Sequence, residues 1–186
     1  MDIRVLIVED SKTDAALIGR FLDRQGYEVI SQRVETAEAF KAALGEGPWD
    51  IIISDYVLPS FSGLEVLKIL REGNIDIPCI VTSGRIDDET AVAAMKAGAR
   101  DYVMKDNLKR LGPAVGRELQ EAEVRRKSEE AQKVKRQTEE KLLESEQRLA
   151  LAVQASGGGV FEYFGGSPPN YFFDETLTRI TGYQLE

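Results

Sequence analysis

Residues 50–59 read DIIISDYVLP: three isoleucines, a serine, and then the carboxylate of Asp55. A short unbroken apolar run bounded by turn residues is the pattern of a strand covered on both faces. Asp55 at its exit adds nothing to such a core. The stretch therefore poses a chemical question as well as a structural one.

Four further runs of the same kind flank it: IRVLIVE (3–9), YEVIS (27–31), IPCIVTS (77–83) and DYVMK (101–105), with WDIIIS (49–54) as the central one. The segments between them have helical periodicity. Residues 11–26 place Leu17, Phe21 and Leu22 on one stripe, with Gly26 at the end. Residues 35–47 turn Ala39, Phe40, Ala43 and Leu44 inward, residues 62–73 form a third helix, and Asp87 is the expected N-cap of a fourth over 87–98. Five strands alternating with helices of this length make βαβ units. Right-handed crossovers then put helices on both faces of a parallel sheet.

From about Pro113 the pattern changes. No Gly or Pro occurs between Gly116 and Gly157, and 18 of the 32 residues from Arg117 to Arg148 are charged. Ala131, Val134, Thr138, Leu142, Ser145, Leu149 and Ala152 step by threes and fours, a thin coiled-coil seam. A long helix that continues the fifth helix and pairs with a second copy is expected, giving a homodimer. A single solvated helix held by i,i+4 pairs is the alternative. The final stretch returns to aromatics and turn residues and reads as a strand, a Pro-Pro turn and a short helix from DETL, too short to bury a core alone. The expected division is 1–112, 113–154 and 155–186.

Composition excludes several classes. The formal net charge is −8 and no segment forms a basic patch, so no nucleic-acid footprint is expected. Cys79 is the only cysteine and lies in an apolar run, as an inert thiol in a reducing compartment would. No apolar stretch approaches the ~20 residues of a membrane span, and a cytoplasmic protein is expected. There is no histidine, which removes a His base, a His metal ligand and a phosphohistidine donor.

In an open parallel sheet the carboxyl ends of the strands share one edge, where ligands bind. Glu9 and Asp10 follow the first strand, Asp55 the third, Ser83 the fourth and Lys105 the fifth. Clustered carboxylates repel unless a cation sits between them, and oxygen-only ligands suit a hard ion, Mg²⁺ first. Carboxylate, metal, hydroxyl and ammonium together make a phosphoryl-transfer site with the carboxylate as nucleophile. No organic cofactor is expected.

These residues carry a family resemblance. LIVEDS, IISDYVLPSFSGLEVL, IPCIVTSG and GARDYVMKD occur in the order and spacing of the receiver domain of two-component response regulators, and residues 1–116 resemble it throughout. The resemblance implies a flavodoxin-like, doubly wound (βα)5 fold with strand order 2-1-3-4-5. It implies that Asp55 accepts a phosphoryl group from a sensor histidine kinase or phosphotransfer protein, with Glu9, Asp10, Asp55 and the carbonyl of Val57 around Mg²⁺. Ser83 matches the family's switch hydroxyl, Lys105 its phosphate-pairing lysine and Tyr102 its aromatic switch. Two positions depart from the pattern. Glu9 stands where aspartate is commoner and is expected to reach the ion through water. Asp106 replaces the usual proline, which leaves the following loop open.

From about Glu144 the chain resembles the beginning of a PAS sensor domain: SEQRLALAVQASGGGVFEYF is similar to its entry helix and first strand, YFFDETLTRITGY to its second strand and next helix. A partial α+β segment of this kind is expected in a piece of a longer protein, with a naturally short protein as the alternative. The whole reads as a signalling module whose phosphorylation is relayed through a helix to a PAS or output region, with no independent substrate turnover. The rival reading is a dimerisation scaffold whose Asp55 is never phosphorylated. A haloacid-dehalogenase-type phosphatase would need an acid at Val57 and is set aside.

Overall fold

The three central apolar runs become parallel strands because each is hydrophobic on both sides and can be satisfied only between two layers of helices, and two partly exposed runs complete the sheet at its edges. In the computed structural model, which describes residues 1–84, 88–156, 161–164, 170–173 and 179, β1 (Asp2–Val8), β2 (Glu28–Val34), β3 (Ile51–Asp55), β4 (Cys79–Ser83) and β5 (Asp101–Met104) form one sheet of order β2-β1-β3-β4-β5. The order and the parallel sense are those expected. Helices α1 (Lys12–Arg24), α2 (Ala37–Glu46), α3 (Gly63–Glu72) and α4 (Asp88–Ala97) connect the strands. A 3-10 turn (Lys105–Arg110) leads from β5 into α5 (Leu111–Ser156). The expected N-cap Asp87 lies outside the described residues.

Alternation along the strands divides the core in two. Ile3, Val5, Ile7, Ile51, Ile53, Ile80 and Val103 pack with Ile18 and Leu22 of α1 and with Leu111 and Val115 of α5. Leu6, Val8, Ile52 and Val81 pack on the opposite face with Phe40 of α2, Val66, Leu67 and Leu70 of α3, and Ala94 of α4. Ile51, Ile52 and Ile53 are fully buried, each stabilising the fold by roughly 1.5–3 kcal/mol.

Two expectations are corrected. On α1 the buried stripe is Ala15, Ile18 and Leu22, and Leu17 is exposed; Ile18 is the residue whose angle on the helix faces the sheet. β2 continues past Ser31 to Val34 because every residue of β1 from Asp2 to Val8 has a partner on it, although Gln32 and Arg33 make this edge look polar. The start of α5 packs on the sheet. Leu111, Ala114, Val115 and Leu119 belong to the core, and the first compact unit runs Met1–Lys127.

The second unit, Ser128–Glu186, holds the rest of α5 and an antiparallel pair, β6 (Phe161–Phe164) and β7 (Asn170–Phe173). Every residue from 128 to 152 is exposed. Within it the helix carries i,i+4 ion pairs, Arg148 to Glu144 at 2.7 Å and Lys135 to Glu139 at 3.8 Å. The Pro-Pro turn and the DETL helix lie outside the described residues. Among the described residues no helix is long and apolar enough to cross a membrane.

Candidate functional site

The strand alternation that builds the α1/α5 core also aims the site. Continuing it past Ile7, Ile53 and Val103 reaches Glu9, Asp55 and Lys105, all on the α1/α5 side of one sheet edge. Their side chains meet. The Lys105 ammonium donates to Glu9 Oε2 at 2.7 Å, to Asp55 Oδ2 at 2.7 Å and to Asp14 Oδ2 at 3.0 Å. Glu9 is only 1% exposed and Asp55 9%, while Asp10 lies on the surface.

Burial drives the electrostatics. Desolvation pushes the Glu9 carboxyl above its ordinary range despite the opposing pull of Lys105. Burial alone would lower the Lys105 ammonium, but its hydrogen bonds to Asp55, Glu9 and Asp14 outweigh that and raise it. The lysine is therefore a permanent cation among acids.

Oxygens of Glu9, Asp10 and Asp55 lie within 4.8 Å of one another. Three carboxylates without a nitrogen or sulfur donor, one of them open to water, suit a hard divalent ion that keeps part of its hydration shell. The residues present thus fit Mg²⁺. Val57 stands two residues beyond Asp55, is 65% exposed, and its N–H reaches Asp55 Oδ1 at 3.4 Å.

Ser83 is buried at the end of β4, one residue past Thr82, which pairs in register with Asp55. Thr82 is occupied by a bond from its hydroxyl to the Ser54 carbonyl at 3.3 Å. Ser83 follows the alternation of Val81, and Tyr102 on the adjacent strand packs against that same core cluster. The two expected switch residues therefore share the α2–α4 face. Asp106 lies in the 3-10 turn, whose one irregular residue is Asn107 (φ −126°, ψ 51°).

Sequence reading missed four supporting residues. Arg33 of β2 donates to the Glu9 carbonyl at 2.7 Å and the Asp10 carbonyl at 3.2 Å, fixing the acidic loop from the neighbouring strand. Gly63 opens α3 so close to the site that a Cβ would lie 2.9 Å from the Asp55 carbonyl oxygen and 3.1 Å from Tyr56 Cα. Ser62 caps that helix with a reciprocal bond to Glu65. Asp14 completes the shell of Lys105. Gly63 had a legible signal, a Ser-Gly pair opening a helix just after the site strand. Arg33 and Asp14 had none.

Comparison with known proteins agrees with this geometry. The family model described as "Response regulator receiver domain" matches residues 5–115. Alkaline phosphatase synthesis transcriptional regulatory protein PhoP of Bacillus subtilis is 33% identical over 105 residues, 56% of this chain and 43% of its own. Transcriptional regulatory protein KdpE of Mycobacterium tuberculosis is 38% identical over 125 residues, 64% of this chain and 54% of its own. The chain thus spans about half the length of the curated relatives it matches. Among solved structures, the Francisella response regulator 1452 receiver domain has a TM-score of 0.57 at 27% identity, covering 64% of this chain and 98% of that one. FixJ-N has a TM-score of 0.57 at 32% identity, covering 64% and 95%.

Proposed function

The chain belongs to the response regulator receiver family through residues 5–115, and on that premise we propose that it is the phosphoryl-accepting module of a two-component phosphorelay with Asp55 as acceptor. The observation that carries the reading is the Lys105 ammonium 2.7 Å from both Asp55 and buried Glu9, beside a cluster of three acids. An Asp55 oxygen attacks phosphorus on a donor phosphohistidine. The new O–P bond forms as the N–P bond breaks, and the electron pair leaves with the imidazole. Lys105 neutralises charge on the acceptor and the arriving oxygens. Glu9, Asp10, Asp55 and the Val57 carbonyl would hold Mg²⁺, which when bound supplies further charge neutralisation on those oxygens. The donor is a sensor histidine kinase or phosphotransfer protein in the cytoplasm, and no independent substrate turnover accompanies the transfer.

Output follows from the shared face of Ser83 and Tyr102. The serine hydroxyl moves toward the phosphoryl group, Tyr102 turns inward, and the equilibrium of the α4–β5–α5 face shifts. The long helix carries that shift toward a PAS-like segment and whatever output follows.

Pairing of two copies through the helix is supported by its charge pattern. From Thr138 on, the seam residues Thr138, Leu142, Ser145, Leu149 and Ala152 keep one heptad phase, all exposed. Lys141 and Arg148 line one flank of this seam, and Glu139 and Glu146 the other. A parallel pair sets Lys141 against Glu146 of the second copy, whereas an antiparallel pair sets like against like.

Incubation with acetyl phosphate tests the acceptor reading. A single phosphoryl adduct should form with Mg²⁺, be suppressed by a chelator, and be absent in Asp55→Asn. No adduct on the wild type, from acetyl phosphate or from a kinase, would leave the scaffold reading in its place.

A further inference from the structure

Lys105 has three N–H donors, and all three are committed to carboxylates: Glu9 and Asp55 at 2.7 Å and Asp14 at 3.0 Å. A phosphoryl oxygen arriving on Asp55 therefore gains a charge-assisted bond from this lysine only if one existing bond opens. The three partners are not equivalent. Opening the bond to Glu9 strands a buried carboxylate, and Asp55 is itself the group that carries the new oxygen. Asp14 makes the longest contact, its side chain is 40% exposed, and it lies outside the cluster of three acids. Water recovers an exposed carboxylate at little cost, while an unpartnered buried one is expensive. Room for that exchange exists. A cavity of about 110 Å³ is lined by Asp14, Leu17, Ile18, Lys105 and Leu108, enough for a few waters.

We propose that Asp14 is the exchangeable partner of Lys105: in the resting protein it holds the ammonium in place, and it surrenders that donor to a phosphoryl oxygen on Asp55. The proposal rests on Asp55 as acceptor. It makes Asp14 a positioning residue and a brake on the phosphorylated state. The ordinary reason for an acid in the first turn of α1 is attraction to the helix N-terminus, and the Asp14 N–H is already satisfied by the Ser11 hydroxyl at 3.2 Å. Neither requires the carboxylate to reach across to the loop after β5.

Beryllofluoride, a phosphoryl mimic on carboxylates, is the probe. Full-length wild type, Asp14→Asn and Asp14→Glu are titrated with it in Mg²⁺ by calorimetry, and each is melted without it. Asp14→Asn should bind about threefold tighter, the size expected of a half-exposed ion pair, and Asp14→Glu should return toward wild type. A crystal structure of the wild type with Mg²⁺ and beryllofluoride should show the Asp14–Lys105 contact opened and Lys105 on a fluoride. Equal or weaker binding by Asp14→Asn, including a lowered melting point with unchanged affinity, overturns the proposal, as does retention of the Asp14 contact in the complex. Failure of the wild type to bind beryllofluoride at all overturns the acceptor reading first, and the exchange with it.

Discussion

Replacing Lys105 by methionine tests the electrostatics of the site. The substitution keeps most of the aliphatic stem and removes the cation that, among the described residues, sits on both Glu9 and Asp55. What remains is two buried carboxylates whose oxygens lie within 4.8 Å, a repulsion of roughly 3–4 kcal/mol at an effective dielectric near 20. Protonation limits the loss. Glu9 is already raised by desolvation, and without the lowering influence of Lys105 it rises further. A net destabilisation of about 2–4 kcal/mol near pH 8 follows, in line with the cost of removing one partner from a buried pair. It should shrink as acid protonates Glu9, and Mg²⁺, which replaces the missing positive charge, should restore much of it. Urea unfolding read by Trp49 is the assay, because this single tryptophan is 8% exposed and packs in the core on the α2–α4 face of the sheet. A variant as stable as wild type without divalent ions at pH 8, or one that Mg²⁺ leaves unimproved, would refute the reasoning.

Three further outcomes follow from the same geometry. Gly63→Ala drives a Cβ into the Asp55 carbonyl and Tyr56 backbone, so it should cost about 1–3 kcal/mol and slow adduct formation; an unchanged urea midpoint would count against the close approach. Glu9 has its folded-state pKa raised above 4.5, so its contribution to stability is fully present below that value and lost as pH rises through the folded value. Protons therefore compete with Mg²⁺ at a higher pH than for an ordinary glutamate. The thermal stabilisation by Mg²⁺ should fall off above pH 4.5 on acidification, and a Mg²⁺ shift constant down to pH 4.5 would contradict this. In the helix, Lys141→Glu should weaken self-association in sedimentation and the Lys141→Glu/Glu146→Lys exchange should restore it; insensitivity of both would argue against a parallel pair.

Much of the fold was legible because its central strands are buried on both faces. Ile51–Ile53 read as a buried strand, and the parallel sheet and its site edge follow once five such runs alternate with helices, whereas the strand order was implied by the family resemblance. Leu17 was misplaced because an amphipathic stripe is broad, and one residue decides whether Ile18 or its neighbour faces the sheet. The end of β2 was hidden by Gln32 and Arg33, polar residues that an edge strand tolerates. Asp55 and Lys105 announced themselves by ending apolar strands. Asp14 and Arg33 did not, because each is an ordinary surface charge until contacts spanning 91 and 24 residues bring it to the site. The charged stretch after Gly116 concealed Leu119 and Ala122, which are buried on α5.

Identifying the phosphorylated residue itself is the most direct measurement. The protein is labelled by acetyl phosphate with Mg²⁺, reduced with borohydride to trap the acyl phosphate, digested and sequenced by mass spectrometry. The reduced residue should be Asp55 alone. Trapping at Asp10 or at another carboxylate, or an unmodified Asp55 in protein that carries the label, would contradict the account.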